Sequence, residues 1–408
     1  MPSLNWSNQL KNKSAIAIAI IGLLANNLSA AEREQAKRIH DRLAGTHPNE
    51  SVLNSMESAI VAGDVQAAAY MAMENDAFYN VTLKNLVTPW TNEAQTVFAP
   101  LNDYTATVIG IVRDDYDFRR ILFDNIVYVG DNTTGAPAYS LANNDHYEHL
   151  EDTNVSLKDH LIEQQQSAVA GLPADATAGV LTSRAAAKAF FSGGTNRAMF
   201  RFTLMNHLCD DLEAFKDTSR TPDRIRQDVS RSPGGDSRIF LNSCIGCHAG
   251  MDPMTQAFAY YDYDFDFETD PEANNGTLVY NGAGVVDEVT GSRVQAKNVI
   301  NANSFIYGFA TPNDNWANYW RQGQNAILGW DQSLPGEGQG AKTMGQELAY
   351  SERFAQCQVK KVFANVCLRE PGNAADRSQV SNMVNSFKTG GYRLKQVFAE
   401  SAEYCMGN

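Results

Sequence analysis

After residue 25 this chain has no apolar run long enough to cross a bilayer, so no internal membrane span is expected. Cationic side chains are also scarce. Lysine and arginine total 33 against 47 aspartates and glutamates, a formal net charge of −14. That balance argues against nucleic acid and anionic membrane surfaces as partners. There is no second Cys-x-x-Cys element to complete a zinc site. Neither an internal repeat nor a low-complexity tract occurs.

What is present begins at the N-terminus. Lys11 and Lys13 precede a short apolar run, Ala15 to Ala25, and small residues follow through Ala31. This order reads as a signal peptide over residues 1–31. The run is short for a bilayer span, which disfavours the competing reading of an uncleaved anchor. No cysteine adjoins the cleavage region, so lipid attachment there is not expected. The expectation is a periplasmic or secreted chain with no stable membrane insertion after cleavage. Removing residues 1–30 takes away two lysines and no acids, so −14 becomes −16. An acidic surface suits a basic redox partner protein, although many secreted proteins are acidic for solubility alone.

The rarest residues converge at one place. Cys244-Ile245-Gly246-Cys247-His248 has the Cys-x-x-Cys-His spacing of c-type haem attachment. Two thiols so placed reach the two vinyl groups of one haem edge, and the next imidazole binds iron from the same turn. With six cysteines and seven histidines in 408 residues, chance supplies about 0.0015 such matches. The expected cofactor is one covalently attached haem c, with Cys244, Cys247 and His248 as its attachment and proximal ligands. Zinc or a thioredoxin-like dithiol is the competing reading, and it lacks a second ligand pair.

Four further cysteines remain, an even number suited to an oxidising compartment. They allow three pairings. Val359, Phe363 and Cys367 share one helical face, as do Leu394, Val397, Phe398, Ser401 and Cys405. Packing of those faces favours Cys367–Cys405 and leaves Cys209–Cys357. Buried free thiols are the alternative.

The chain reads as mainly α, with a small β-rich or irregular insertion. Helices are expected over 31–43, 50–61, 65–73, 77–86, 104–112 and 117–123, followed by a long loop over 129–156. Thr195 is expected to cap a helix ending near Cys209, and Asp236 a short helix through Phe240. Short strands are expected within 260–300, and helices over 316–328, 346–367, 380–387 and 392–405. The division expected is 32–180 as an N-terminal helical region and 181–408 as a cytochrome c-like haem-binding region with C-terminal helices.

A sixth iron ligand must approach from the opposite haem face. Met344, read as lying in a polar turn, and His207, on the upstream helix, are the candidates. Arg220, Arg224, Arg226, Arg231 and Arg238 cluster before the motif in an acidic chain. Guanidinium groups match carboxylates, so Arg231 and Arg238 are the candidates to hold the haem propionates. Two other clusters are weaker. His146-Tyr147-Glu148-His149 resembles a metal site but has no second element. Asp262, Asp264 and Asp266 alternate with aromatics, a pattern that fits a solvated strand face better than a calcium loop.

Around the motif run Thr195-Asn196-Arg197, Leu208-Cys209, Asp228 and Arg231 through Ser237. Ala249-Gly250-Met251-Asp252-Pro253 and Ala257 through Asp262 follow it, with Phe354-Ala355-Gln356-Cys357 downstream. Over roughly residues 180–405 these resemble the exported proteins with planctomycete-type cytochrome c modules. The resemblance implies an exported, haem-tethering, mainly helical protein, with no substrate and no functional residues beyond Cys244, Cys247 and His248. The function expected is periplasmic electron transfer by a monohaem cytochrome. The alternatives are a haem peroxidase or oxygenase with an open distal position served by Arg197, Arg201 or His207, and a binding or assembly protein with a structural haem.

Overall fold

The computed structural model describes residues 31–193, 196–226, 237–299, 302, 306 and 308–407. The segment read as a signal peptide lies outside the described residues through residue 30, as do Thr195 and Asp236 with the caps read into them. Across the described residues the chain is mainly helical, with short antiparallel strand pairs.

Residues 31–44 form α1. Asn49 caps α2 (Glu50–Val61) by accepting from the Val52 amide, and Asp64 caps α3 (Val65–Met73) by accepting from Ala67. Each cap satisfies an amide that the helix cannot pair internally. Helix α4 (Asp103–Arg113) is buried along nearly its whole length and forms the centre of the fold. It lies against strand β1 (Val127–Gly130), whose Tyr128 ring occupies the space a Cβ at Gly110 would need, 2.1 Å from Cδ1. β1 pairs with β2 (Leu161–Gln164).

Two helices carry the chain toward the Cys244–His248 motif, α6 (Arg184–Phe191) and α7 (Arg197–His207), after α5 (Asp145–Asp152). The motif opens α8 (Ile245–Thr255), which continues without a break from a π-helical turn, Phe240–Cys244. Strands β3 (Tyr261–Asp264) and β4 (Thr277–Tyr280) then pair antiparallel, in the insertion expected to be β-rich. Tyr261 and Tyr263 face inward while Asp264 is exposed, the alternation that a period of two dictates. Asp262 pairs with the buried Lys297 ammonium at 2.5 Å.

The C-terminal part holds β5 (Asn315–Ala317) paired with β6 (Glu337–Gln339), then α9 (Gly340–Ala349), α10 (Glu352–Cys367), α11 (Ala374–Thr389) and α12 (Leu394–Cys405). Helix α12 returns to pack on α3 and α10. Phe398 meets Phe78 edge-on, with ring centres 5.1 Å apart. One contiguous apolar core therefore runs from Ala36 to Ala402. The boundary expected near residue 180 falls in the fully buried turn Gly179–Thr182 within that core. Disulfides Cys209–Cys357 and Cys367–Cys405 staple it, with Cα separations of 5.3 and 5.4 Å.

Three sequence expectations need correction. The segment 129–156 is not all loop, because it holds the end of β1 and all of α5. His146, Tyr147 and Leu150 are buried there although the helix is otherwise polar, so hydropathy alone hides it. Residues 316–328 do not form one helix. Trp316 and Ala317 lie in β5, and two 3₁₀ turns follow, Tyr319–Arg321 and Gly323–Leu328, separated at the extended Gln322. The partner strand β6 is distant in sequence, and its pairing overrides the local pattern. Finally, Met344 lies inside α9 rather than in a polar turn.

Candidate haem-attachment site

Helix α8 has two unlike faces. Gly246 and Gly250, four apart, lie on one of them. A Cβ at Gly246 would come 2.6 Å from the Lys216 Cγ, and one at Gly250 would come 1.9 Å from the Trp320 Nε1. The missing side chains let α8 sit close against the 212–219 segment and the buried Trp320. The Gly246 carbonyl accepts from the Asp217 amide at 3.0 Å, and the Cys247 thiol points to the Leu212 carbonyl at 3.6 Å.

His248 lies on the opposite face, with Cys244 near it and Cys247 between the two faces. Cys244, Cys247 and His248 are each half-buried. Cys244 and Cys247 are the cysteines left free once the other four are paired. Burial pushes the Cys247 thiol upward, with Lys216 opposing. Beside the thiols, Ile225 and Phe240 form a small apolar cluster of their own with Cys244 and Ile245 packed on it. Ile239 and Leu241, on the turn leading in, are exposed. The Phe240 ring lies 6.0 Å from that of His248.

His248 is held from behind. Its Nδ1 lies 3.0 Å from Oδ1 of Asp252, one helical turn on. Asp252 has no side-chain exposure. It also receives Arg197 Nε at 2.9 Å and the Arg226 backbone amide at 3.3 Å. Burial would raise the Asp252 pKa, but the charges of Arg197 and Arg226 and the hydrogen bond from His248 outweigh it and hold the carboxyl well below its usual range. Arg226 is itself buried, and its guanidinium donates to Asn298 Oδ1 at 2.6 Å.

Asp252, Arg226 and Asn298 as a unit were not legible in the sequence. The one signal available was the four-residue step from His248 to Asp252 on a helix. Arg197, expected on the distal side of an open iron, instead reaches His248 from the Nδ1 side through Asp252. Arg201 is engaged in an outward pair with Asp211 at 2.6 Å.

The remaining candidates are placed as follows. Arg231 lies outside the described residues. Arg238 is exposed, one residue before Ile239. Arg220 pairs with Asp217 at 3.2 Å, and Arg224 lies over the Tyr319 ring. Met344 is fully buried in the main core, on a helix packed against Phe118–Leu122 and Gln256–Phe258. His207 is also fully buried. Its Nε2 is 2.7 Å from the Tyr104 hydroxyl, and its ring stacks on Tyr104 and Phe354. It closes α7 about 15 Å along the axis from Arg197, the residue of that helix that meets Asp252. His146 and His149 bond backbone carbonyls, those of Pro137 at 2.6 Å and Thr134 at 3.1 Å. Among the described residues no group of three or more His, Cys, Asp or Glu side chains is arranged to hold a metal ion. No helix among them is long and apolar enough to cross a membrane.

Compared with known proteins, the chain matches no family model, no curated protein and no solved structure.

Proposed function

We propose that this chain is an exported monohaem c-type cytochrome that transfers electrons in the periplasm or outside the cell. One observation carries the reading. Of six cysteines, four are spent on disulfides, and the two left free stand at the spacing of haem attachment, with His248 next to them. The surroundings suit the group. A porphyrin edge needs apolar cover, which Phe240, Ile225, Ile239 and Leu241 offer beside the thiols. An axial imidazole needs its second nitrogen tied, and Nδ1 is tied to Asp252. In the holoprotein, Cys244 and Cys247 would carry the thioether bonds and His248 Nε2 would face the iron. The haem would supply a one-electron ferric/ferrous couple. The acidic chain suits a cationic redox partner protein.

The open-site peroxidase or oxygenase reading draws less support. The three residues it needed on the distal face, Arg197, Arg201 and His207, are engaged with Asp252, Asp211 and Tyr104 respectively.

The test is expression in a host with haem-attachment machinery. Denatured wild-type chain should keep one covalent haem by mass and by its pyridine haemochrome spectrum, and Cys244→Ser/Cys247→Ser should keep none. Covalent haem on the double variant would refute the assignment. Ferrous protein whose spectrum is unmoved by carbon monoxide fits a carrier. High-spin protein that binds carbon monoxide rapidly would overturn the carrier reading.

A further inference from the structure

We infer that Asp252 is a positioning residue for His248, and that the Arg197–Asp252–His248 chain sets the reduction potential by biasing the iron toward its ferric state. This rests on the haem reading and adds which side chains tune it.

A carboxylate sealed from water is costly unless its oxygens are satisfied. Asp252 is satisfied from three directions, by His248 Nδ1, Arg197 Nε and the Arg226 amide. Its ionised oxygens can only accept, so the proton shared with His248 sits on Nδ1 and the lone pair on Nε2. The imidazole is thereby fixed in the tautomer and orientation that a metal requires. A carboxylate accepting from Nδ1–H also makes Nε2 the more basic donor, which favours the more highly charged metal.

Arg197 opposes that effect. It shares Oδ1 with His248 and so withdraws part of the charge the imidazole feels. Its side chain is 17% exposed, whereas that of Asp252 is 0% exposed. Removing the carboxylate and removing the guanidinium should therefore shift the potential in opposite directions. A merely structural hub would lower stability in both variants and leave the potential where it was.

The experiment is a potentiometric titration of haem-loaded full-length protein, compared with Asp252→Asn and Arg197→Gln. Asp252→Asn should raise the ferrous share at a fixed potential at least tenfold, an upward shift of about 59 mV or more for one electron. Arg197→Gln should move it downward. Unchanged potentials, or two shifts of the same sign, in folded variants overturn the inference alone. A wild-type chain without covalent haem overturns the haem reading and this inference with it. Asp252→Asn leaves Arg197 without its buried partner and is the variant at risk of not folding. A second readout therefore uses the haem-free Cys244→Ser/Cys247→Ser chain. Nitrogen-15 NMR should show the neutral His248 ring protonated at Nδ1. Protonation at Nε2 instead would overturn the pairing on which the inference stands.

Discussion

Gly250 passes directly beneath the indole of Trp320, so that a single added methyl would fall 1.9 Å from Nε1. Trp320 cannot yield easily. It is fully buried and stacked on Phe215, with ring centres 5.1 Å apart, and its carbonyl accepts from Trp330 at 2.9 Å. Gly250→Ala should therefore push α8 off its bed and cost about 1–3 kcal/mol or more. The check is the urea midpoint, with Gly282→Ala as the control. Gly282 has nothing within 4 Å of its Cβ position, and its variant should stay within about 0.5 kcal/mol of wild type.

Burial, with help from the Lys361 charge, holds the His207 pKa well below its ordinary value of 6.5. The folded protein keeps this ring neutral while the unfolded chain takes up a proton below about pH 6.5. Stability from this site is thus complete above that pH and falls as the solution is acidified, by up to about 1.4 kcal/mol per pH unit. Unfolding midpoints at pH 7 and pH 5.5 should show the decline. His207→Gln should be less stable at neutral pH yet decline less steeply. An equal slope in the variant would show that His207 is not the group responsible.

Each disulfide closes a loop, of 148 residues for Cys209–Cys357 and 38 for Cys367–Cys405. Replacing either pair with alanine should cost about 2–5 kcal/mol, the longer loop more. Thermal unfolding with and without reductant reads this directly. In the haem-free chain, alkylation under denaturing, non-reducing conditions should label Cys244 and Cys247 alone. Label on any of the other four would contradict the pairing.

The parts of this fold that were legible are those where local order and burial agree. Helices α2 and α3 begin and end where apolar spacing and the turn at Gly63 place them. The Cys367–Cys405 pairing followed from two helical faces, because α10 and α12 do pack on each other. What stayed hidden depends on partners far along the chain. Trp316, Tyr319 and Trp320 imitate a helical stripe, yet β5 forms because residues 337–339 come alongside. Within the candidate site, Cys244, Cys247 and His248 stood out as candidates, since covalent chemistry needs fixed types at fixed spacing. The groups behind His248 were not, because Arg197 comes from α7 and Asn298 from a turn beyond β4. Met344 looked available only because it was read as lying in a polar turn before a helix. Gly345 is instead a point of close packing, where a Cβ would lie 1.8 Å from the Leu122 carbonyl oxygen.

The Cys209–Cys357 bond also has a consequence for the order of assembly. The motif thiols lie inside the loop it closes, so Cys209 meets two wrong partners in the chain before its right one. In an unfolded chain, closing the loop of about 35 residues to Cys244 is favoured over closing 148 by about 1.3 kcal/mol, roughly ninefold. Native oxidation must therefore wait for α10 to dock against the end of α7, or proceed with Cys244 and Cys247 already taken. The thiols that make the chain distinctive are thus also its main hazard during maturation, and whatever occupies them first protects the staple formed around them.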